Sequence, residues 1–463
     1  MQKSITLIQP RHSYAPDNWL GHIYMPNSLL TLGAQLQKAD YEVRICDENL
    51  EKAQIDTPSV GITLTGTPYI PQVQKLVARI RQDYGDQIRI ILGGQVLAPG
   101  KNIRHPKAPG WSYNTGITSD QFYKLFGSWV YNGMIVQSLL VPAKDVALKD
   151  MYQSLWDAKL CAYMRNEMPL YVSQWCAQKC SFCAAAKGVP EEYRELNHVQ
   201  TDLTYLLGKA TDYYIDNLSF YMTNLDVFQS PKKLFAFAKM VQSVRKQYPD
   251  ITVNIRWLAW CAYFNKAYHY QENCEYLVEE LKKAWFTTVW FGVDGVGPEI
   301  WKWTKKAQNS EKIVLEAFQN TKAAWLIPET LMVMGHNGID TPKSLEEALQ
   351  FTQWAQQEFG AVPRPQAVKP YIPWNDWRNH PDYVRPIEQM IAKSDLFQAL
   401  DFTALPSFMT HPDRDFRQLV RDYLIKMTQI PGNTTKLVEP YEYLDTPKEK
   451  EIKRYQNLLK YDR

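Results

Sequence analysis

No stretch of this 463-residue chain approaches the ~20 consecutive apolar residues of a membrane-spanning helix, so no such span is expected. The opening residues, Met1 to Pro10, hold too short an apolar run for a signal peptide. Neither sign of charge dominates. Fifty-two Lys and Arg against 49 Asp and Glu leave +3, which implies no strong pull toward nucleic acid or a membrane surface. There is no internal repeat and no low-complexity tract. Cysteine is scarce and odd in number, seven in all, which argues against a disulfide framework and for a reducing compartment. A cytoplasmic protein of two or three domains is expected from these bounds. Aromatic residues are plentiful, with 15 Trp and 28 Tyr, and most are expected to fill cores.

Three of the seven cysteines stand together. Cys176, Cys180 and Cys183 lie in Trp-Cys-Ala-Gln-Lys-Cys-Ser-Phe-Cys. Three thiolates at this spacing can hold three irons of a cubic [4Fe–4S] cluster and leave the fourth iron open. A zinc site would want four ligands, usually as two pairs. No second Cys-x-x-Cys exists, although Cys161, Cys261 or Cys274 could supply a distant ligand.

Upstream of the run, apolar strands alternate with amphipathic helices. Strands are expected at Ile5–Ile8, Val43–Cys46, Val60–Leu64 and Ile88–Leu92, and helices at Pro26–Gln37 and Pro71–Tyr84. That alternation implies a doubly wound parallel sheet, which binds ligands beyond its C-terminal strand ends. Thr63, Leu64, Thr65, Gly93 and Gly94 sit at two such ends. Residues 100–168 are harder to read. Leu170–Val172 is expected to deliver the cysteine loop. Beyond it the alternation resumes, with strands at Leu218–Met222, Thr252–Trp257, Thr288–Val293, Glu329–Met334 and Pro365–Tyr371. Six strands in all suggest a partial (β/α)6 barrel, with its site at the C-terminal strand ends. Helices are expected at Thr201–Lys209, Pro231–Tyr248, Cys274–Trp285, Ile313–Trp325 and Lys343–Phe359. The resulting plan is α/β: a Rossmann-like domain over residues 1–140, a linker over 141–168, the barrel over 169–375 and a mainly helical region over 376–463. Six prolines between 363 and 386, with Trp374, Trp377 and His380, mark an irregular exit from the barrel.

The cysteine run resembles the cluster motif of the radical S-adenosylmethionine (SAM) enzymes, and Phe182 before the last cysteine fits that family. The first ~125 residues resemble the cobalamin-binding domain that precedes the cluster domain in one large class of them. There the resemblance rests on Tyr-Glu-Val-Arg-Ile-Cys-Asp, Val-Gly-Ile-Thr and Ile-Ile-Leu-Gly-Gly in order. The Asp-x-His-x-x-Gly motif of other cobalamin proteins is absent, so no lower axial ligand is named. The alternative is a Rossmann-like domain that has lost its cofactor.

The resemblance implies a [4Fe–4S] cluster on the three cysteines, with SAM on the open iron. Tyr221, Thr223 and Asn224 match the position that grips the methionyl amino group. Arg256 is placed to pair with the methionyl carboxylate. Asp294, in Phe-Gly-Val-Asp-Gly, matches the acidic position of a Gly-x-Glu-Ser pattern. Lys305-Lys306 matches a basic pair and is expected to be solvated. Two loops depart from the family. Gly335-His336-Asn337-Gly338-Ile339-Asp340 replaces Gly-x-Pro-Gly-Glu-Thr, and Tyr371-Ile372-Pro373-Trp374-Asn375 replaces Pro-Gly-Thr. His336 is a candidate acid or base, since histidine titrates near neutrality; a structural histidine is the competing reading.

The leading expectation is a cobalamin-dependent radical SAM C-methyltransferase that uses a 5′-deoxyadenosyl radical and methylcobalamin. It would need an external electron donor such as flavodoxin or ferredoxin, and its substrate is a small molecule or peptide. The alternatives are a radical SAM enzyme with a non-methylating outcome and a non-catalytic iron–sulfur or corrinoid carrier.

Overall fold

The computed structural model describes residues 3–11, 24–94, 104–105, 108–112, 119–127, 130–132, 140–178, 180–183, 191–306, 308–370, 381–435, 437 and 439. Two parallel sheets organise them. The first contains β1 (Ser4–Gln9), β2 (Glu42–Asp47), β3 (Ser59–Thr63), β4 (Arg89–Gly93) and β5 (Val130–Asn132), in the order β2-β1-β3-β4-β5. Ile5, Leu7, Ile8, Val60, Ile62, Ile90 and Leu92 are all buried, as strands covered on both faces require. This order reverses direction between β1 and β3, and a crevice at such a switch point is where doubly wound sheets bind ligands. Helix α1 (Asn27–Gln37) and helix α2 (Ile70–Tyr84) follow their strands. Pro71 in the first turn of α2 suits a position whose N–H would have no partner in the helix.

The second sheet contains β6 (Glu167–Leu170), β7 (Asn217–Met222), β8 (Thr252–Ala259), β9 (Phe286–Gly292), β10 (Ile327–Met334) and β11 (Val362–Ala367). Its order is strictly sequential, every pair is parallel, and it curls into an open half-barrel. Alternation sets the two faces. Val253, Ile255, Trp257 and Ala259 of β8 are buried against the helices, while Asn254, Arg256 and Leu258 face the lumen side. An aromatic layer fills the space behind the strands, with Trp257 against Phe286 at 4.5 Å and Phe264 against Phe291 at 5.2 Å. These aromatic rings therefore serve the core.

Strand and helix boundaries differ from the sequence reading at several points. The strand that delivers the cysteines ends at Leu170, because the Tyr171 and Val172 carbonyls bond Arg194 instead. Strand β8 runs past Trp257 to Ala259, which leaves Arg256 inside it. The helix expected from Cys274 starts only at Leu277, since Asn273 and Cys274 take positive φ in a tight hairpin. The last strand lies at Val362–Ala367, three residues early.

The segment over 141–168 is well packed. The helix over Lys149–Ser154 lies so close to α1 that a Cβ on Gly33 would sit 2.7 Å from Met151 Cε. A buried ion pair ties this segment to the barrel. Asp202 accepts from Arg194 at 2.8 Å and from the Leu148 and Lys149 amides, and Arg194 also donates to the Val146 carbonyl. The chain after the barrel divides between the two sheets. Ile387, Met390, Leu396, Phe397 and Leu400 join the core of the first sheet with Ile62, Val73 and Leu92. The helix over Arg414–Thr428 instead packs on β11 and on the helix over Pro342–Phe359. Trp374, Trp377, His380 and the charged tail from Lys448 lie outside the described residues. No helix among the described residues is long and apolar enough to cross a membrane.

Candidate active site

The cysteine loop leaves the C-terminal end of β6, where a barrel places its chemistry. Cys176 and Cys180 are buried and Cys183 is half-buried. The loop is shaped by its backbone: the Cys183 amide donates to the Cys180 carbonyl at 3.3 Å, and the Gln178 amide to Cys176 Sγ at 3.5 Å. It is anchored from outside by Gln229, which accepts from the Ala177 amide at 3.0 Å. The Thr304 carbonyl also accepts from the Ser181 amide, at 3.2 Å. Burial pushes the Cys176 thiol up to about 12 and raises Cys180 further, with Cys183 adding to both. A bound cation reverses that preference and holds thiolates. Among the described residues no three His, Cys, Asp or Glu side chains converge on one point as a single ion needs. A cuboidal cluster asks for something different, because each sulfur binds a different iron. The donor set fits the cluster.

Below the loop lies a buried cation. Lys306 sits with its Nζ on Asp294, on the Gly292 carbonyl at 2.7 Å, and 4.7 Å from the centre of the Trp260 ring. Expected at the surface with Lys305, it is buried, because Asp294 and the Gly292 carbonyl replace its water; Lys305 alone is exposed. Burial lowers its pKa, but Asp294 and Cys180 outweigh that and hold it well above the usual lysine range. Asp294 thus faces the loop region with a positive φ, already paired.

Asn224 is buried behind the loop. Its amide donates to Ser173 and Glu191, and its carbonyl accepts from the Asp226 amide at 2.9 Å. Burial drives the Asp226 carboxyl well above its ordinary range and Glu191 up to about 7. Thr223 contributes its backbone amide to Leu170. Tyr221 and Arg256 are neighbours in the β7–β8 register, inside the half-barrel rather than at its rim. Tyr221 meets the edge of Tyr24 at 6.0 Å, and Arg256 pairs with Glu167 and stacks over Trp290 at 4.1 Å. Arg256 therefore lies within its strand, and its charge is compensated within the lumen.

His336 follows β10 and is fully buried. Its ring lies 4.6 Å from Trp303 and 6.1 Å from Phe182, between two of the cysteines in sequence. Neither ring nitrogen makes a well-formed hydrogen bond, although the Val333 carbonyl lies close enough to favour protonation. Burial dominates and lowers its pKa, so the neutral ring prevails. Around the same loop, Ser181 Oγ, Glu191 Oε2, Asp226 Oδ2 and both amide atoms of Asn309 are also buried without partners. Buried polar groups are normally satisfied. Those beside the cysteines leave hydrogen-bonding capacity that a polar ligand would take up.

Two residues that the sequence reading missed close the barrel mouth. Lys369, just past β11, is buried and donates to the Ala404 carbonyl. His411 bridges the Gly335 carbonyl at 2.8 Å and Thr410 Oγ1 at 2.9 Å, and burial pushes its pKa down to about 3. Neither belongs to a recognisable motif. At the first sheet, Thr63 and Leu64 are buried and only Thr65 is exposed. A Cβ on Gly94, whose φ is +127°, would strike the Leu64 carbonyl, so β3 and β4 end in close contact. Thr65 and the Gly93 backbone are what this edge offers a ligand.

No known protein family and no curated protein matches the chain by sequence. Among solved structures it is similar to the radical S-adenosylmethionine methyltransferase TsrM from Kitasatospora setae, with cobalamin and a [4Fe–4S] cluster bound. There the TM-score is 0.54 at 14% identity, covering 80% of this chain and 76% of that one. It is also similar to the cobalamin-dependent S-adenosylmethionine radical enzyme OxsB, bound to aqua-cobalamin and S-adenosylmethionine. That TM-score is 0.53 at 12% identity, covering 86% of this chain but only 56% of OxsB. The chain has the fold of the cobalamin-dependent radical S-adenosylmethionine enzymes, a doubly wound sheet followed by a parallel half-barrel whose first strand carries the cysteine loop.

Proposed function

We propose that the chain is a cobalamin-dependent radical SAM enzyme that methylates an unactivated carbon. The observation that carries this reading is the three-cysteine loop at the C-terminal end of the first half-barrel strand, with the partnerless Ser181 hydroxyl inside it. Cys176, Cys180 and Cys183 would hold the cluster. Asn224 and Asp294 would border the space for SAM, while Thr65 and Gly93 would face cobalamin from the first sheet. When bound, these groups supply reductive cleavage of SAM and the methyl group.

The chain's own residues do the rest. Lys306 sets a fixed positive charge beside thiolates that are otherwise hard to keep ionised under burial. His336, neutral and buried, offers one donor and one acceptor nitrogen at the barrel mouth. The Arg256–Glu167 and Arg364–Glu329 pairs line the lumen around Trp290 and suit a polar substrate. An external electron donor of the flavodoxin or ferredoxin type supplies the electron.

Anaerobic reconstitution tests the proposal. S-adenosylhomocysteine, 5′-deoxyadenosine and a methylated product together support it. The likeness to OxsB, a cobalamin-dependent S-adenosylmethionine radical enzyme, accommodates a second reading in which the radical outcome is not methylation. Deoxyadenosine alone would support that reading, and neither product would leave a carrier. Retention of a [4Fe–4S] cluster by the combined variant Cys176→Ala, Cys180→Ala, Cys183→Ala would refute the site.

A further inference from the structure

Strand β2 forms one edge of the first sheet and pairs with β1 alone among the described residues. Its Glu42 amide and the Glu48 amide just beyond it donate to the Lys3 and Gln9 carbonyls at 2.8 and 3.0 Å. The N–H and C=O groups of a strand alternate in side from one residue to the next. The even-numbered residues of β2 therefore turn to β1, and the odd-numbered ones turn outward. Most of the outward groups are already taken. The Tyr41 amide donates to the Leu36 carbonyl at 3.1 Å, Lys159 donates to the Ile45 carbonyl at 3.0 Å, and Glu51 accepts from the Asp47 amide at 3.3 Å. Between them, the Val43 amide, the Val43 carbonyl and the Ile45 amide have no partner among the described residues. This window is too short for an added strand, which needs a run of free groups. A cavity of about 610 Å³ opens on it, a volume that suits a small ligand. The Val43 and Ile45 side chains are buried in the core, so the cavity meets their backbone edge. Gln153, Ser154 and Trp156 also line it; Trp156 is 52% exposed and hydrogen-bonds Glu51. Both cations of the lining are paired, Lys159 with Glu51 and Arg44 with Asp56 at 2.7 Å. Glu42, exposed and in no ion pair among the described residues, leaves the cavity negative.

We propose that this cavity binds a neutral purine nucleoside of the adenosine type. The Val43 carbonyl and the Ile45 amide set an acceptor beside a donor, and the adenine edge sets an amino donor beside a ring acceptor. The amino group donates to the Val43 carbonyl, ring nitrogen N1 accepts from the Ile45 amide, and the base stacks on Trp156. Proteins read free bases in this way, by edge hydrogen bonds and aromatic stacking. Guanine fits less well, because its second donor would face the Val43 amide. A nucleotide phosphate is disfavoured, because Glu42 repels it and no cation of the lining is free. The site lies on the sheet edge and does not depend on the proposed cluster.

The test titrates the full chain with adenosine by calorimetry, with circular dichroism confirming that each variant folds. The parent should bind adenosine. Trp156→Ala should weaken binding about 5- to 150-fold, the range of one base–aromatic stack, and Trp156→Phe should keep most of the affinity. Ile45→Pro deletes the outward amide and leaves the bonds to β1 in place, and edge strands tolerate proline at such positions. It should weaken binding about fivefold or more. Should that variant fail to fold, 1-methyladenosine removes the same bond from the ligand side and should lose at least as much. AMP and guanosine should each bind more weakly than adenosine. Photolabelling with 8-azidoadenosine, mapped by mass spectrometry, should mark residues 153–156. No binding by the parent, full affinity in Trp156→Ala, or equal affinity for 1-methyladenosine, AMP or guanosine would each overturn the proposal. So would label confined to the cysteine loop.

Discussion

Lys369 gives the sharpest test of the interior. It is buried, holds one hydrogen bond to the Ala404 carbonyl, and has no carboxylate within ion-pair distance among the described residues. Burial pushes its pKa from 10.5 down to about 7, with Asp401 opposing the fall. A lysine whose folded pKa lies below its unfolded one contributes stability above pH ~10.5 and loses it as pH falls toward 7. At 1.36 kcal/mol per unit, the protonated side chain costs folding up to about 5 kcal/mol below neutrality, before any relaxation. Lys369→Met removes that cost but leaves the Ala404 carbonyl unsatisfied, which costs about 1–3 kcal/mol. The variant should therefore be more stable than the parent at pH 6, by about 2 kcal/mol or more. By pH 10 the remaining cost is under about 1 kcal/mol, and the variant should be the less stable of the two. His411, kept neutral, does not change charge across this window. Paired urea titrations of parent and variant from pH 6 to 10 read the difference directly. A difference that stays flat, with no change of sign, would refute the account of Lys369 as a desolvated amine.

Three further outcomes follow from other buried contacts. Asp294→Asn or Lys306→Met alone should cost about 3–5 kcal/mol and lower cluster content, while the double variant should lose less than the sum; denaturation midpoints and iron analysis check both. Gly94→Ala should destabilise by about 2 kcal/mol or more, since it combines a left-handed φ with a collision at Leu64, and should weaken cobalamin binding followed by absorbance. Asp202→Asn should cost about 3–5 kcal/mol and loosen residues 140–149, seen as faster amide exchange at Leu148 and Lys149.

Much of the architecture was legible because it is written locally. Apolar runs such as Ile5–Ile8 and Val60–Leu64 mark strands buried on both faces, and the cysteine spacing marks a cluster loop without any knowledge of the fold. Boundaries slipped where a distant residue competed for the backbone. Arg194 captures the Tyr171 carbonyl and ends β6 early, and nothing near Tyr171 in sequence announces that. Burial of charge was the hardest to read. Lys306 reads as a surface residue beside Lys305 until Asp294 and Trp260 are placed around it. Lys369 and His411 belong to no pattern at all.

The sequence by itself determined the two parallel sheets, the half-barrel and the three thiols at one strand end, because periodicity and ligand spacing act over a few residues. Only the tertiary structure decided which charges are buried and paired, that Arg256 faces the lumen, and that His336 stands unpartnered between Trp303 and Phe182. Those outcomes depend on groups far apart in the chain, and a side chain's solvation and partners are set where the chain returns to it.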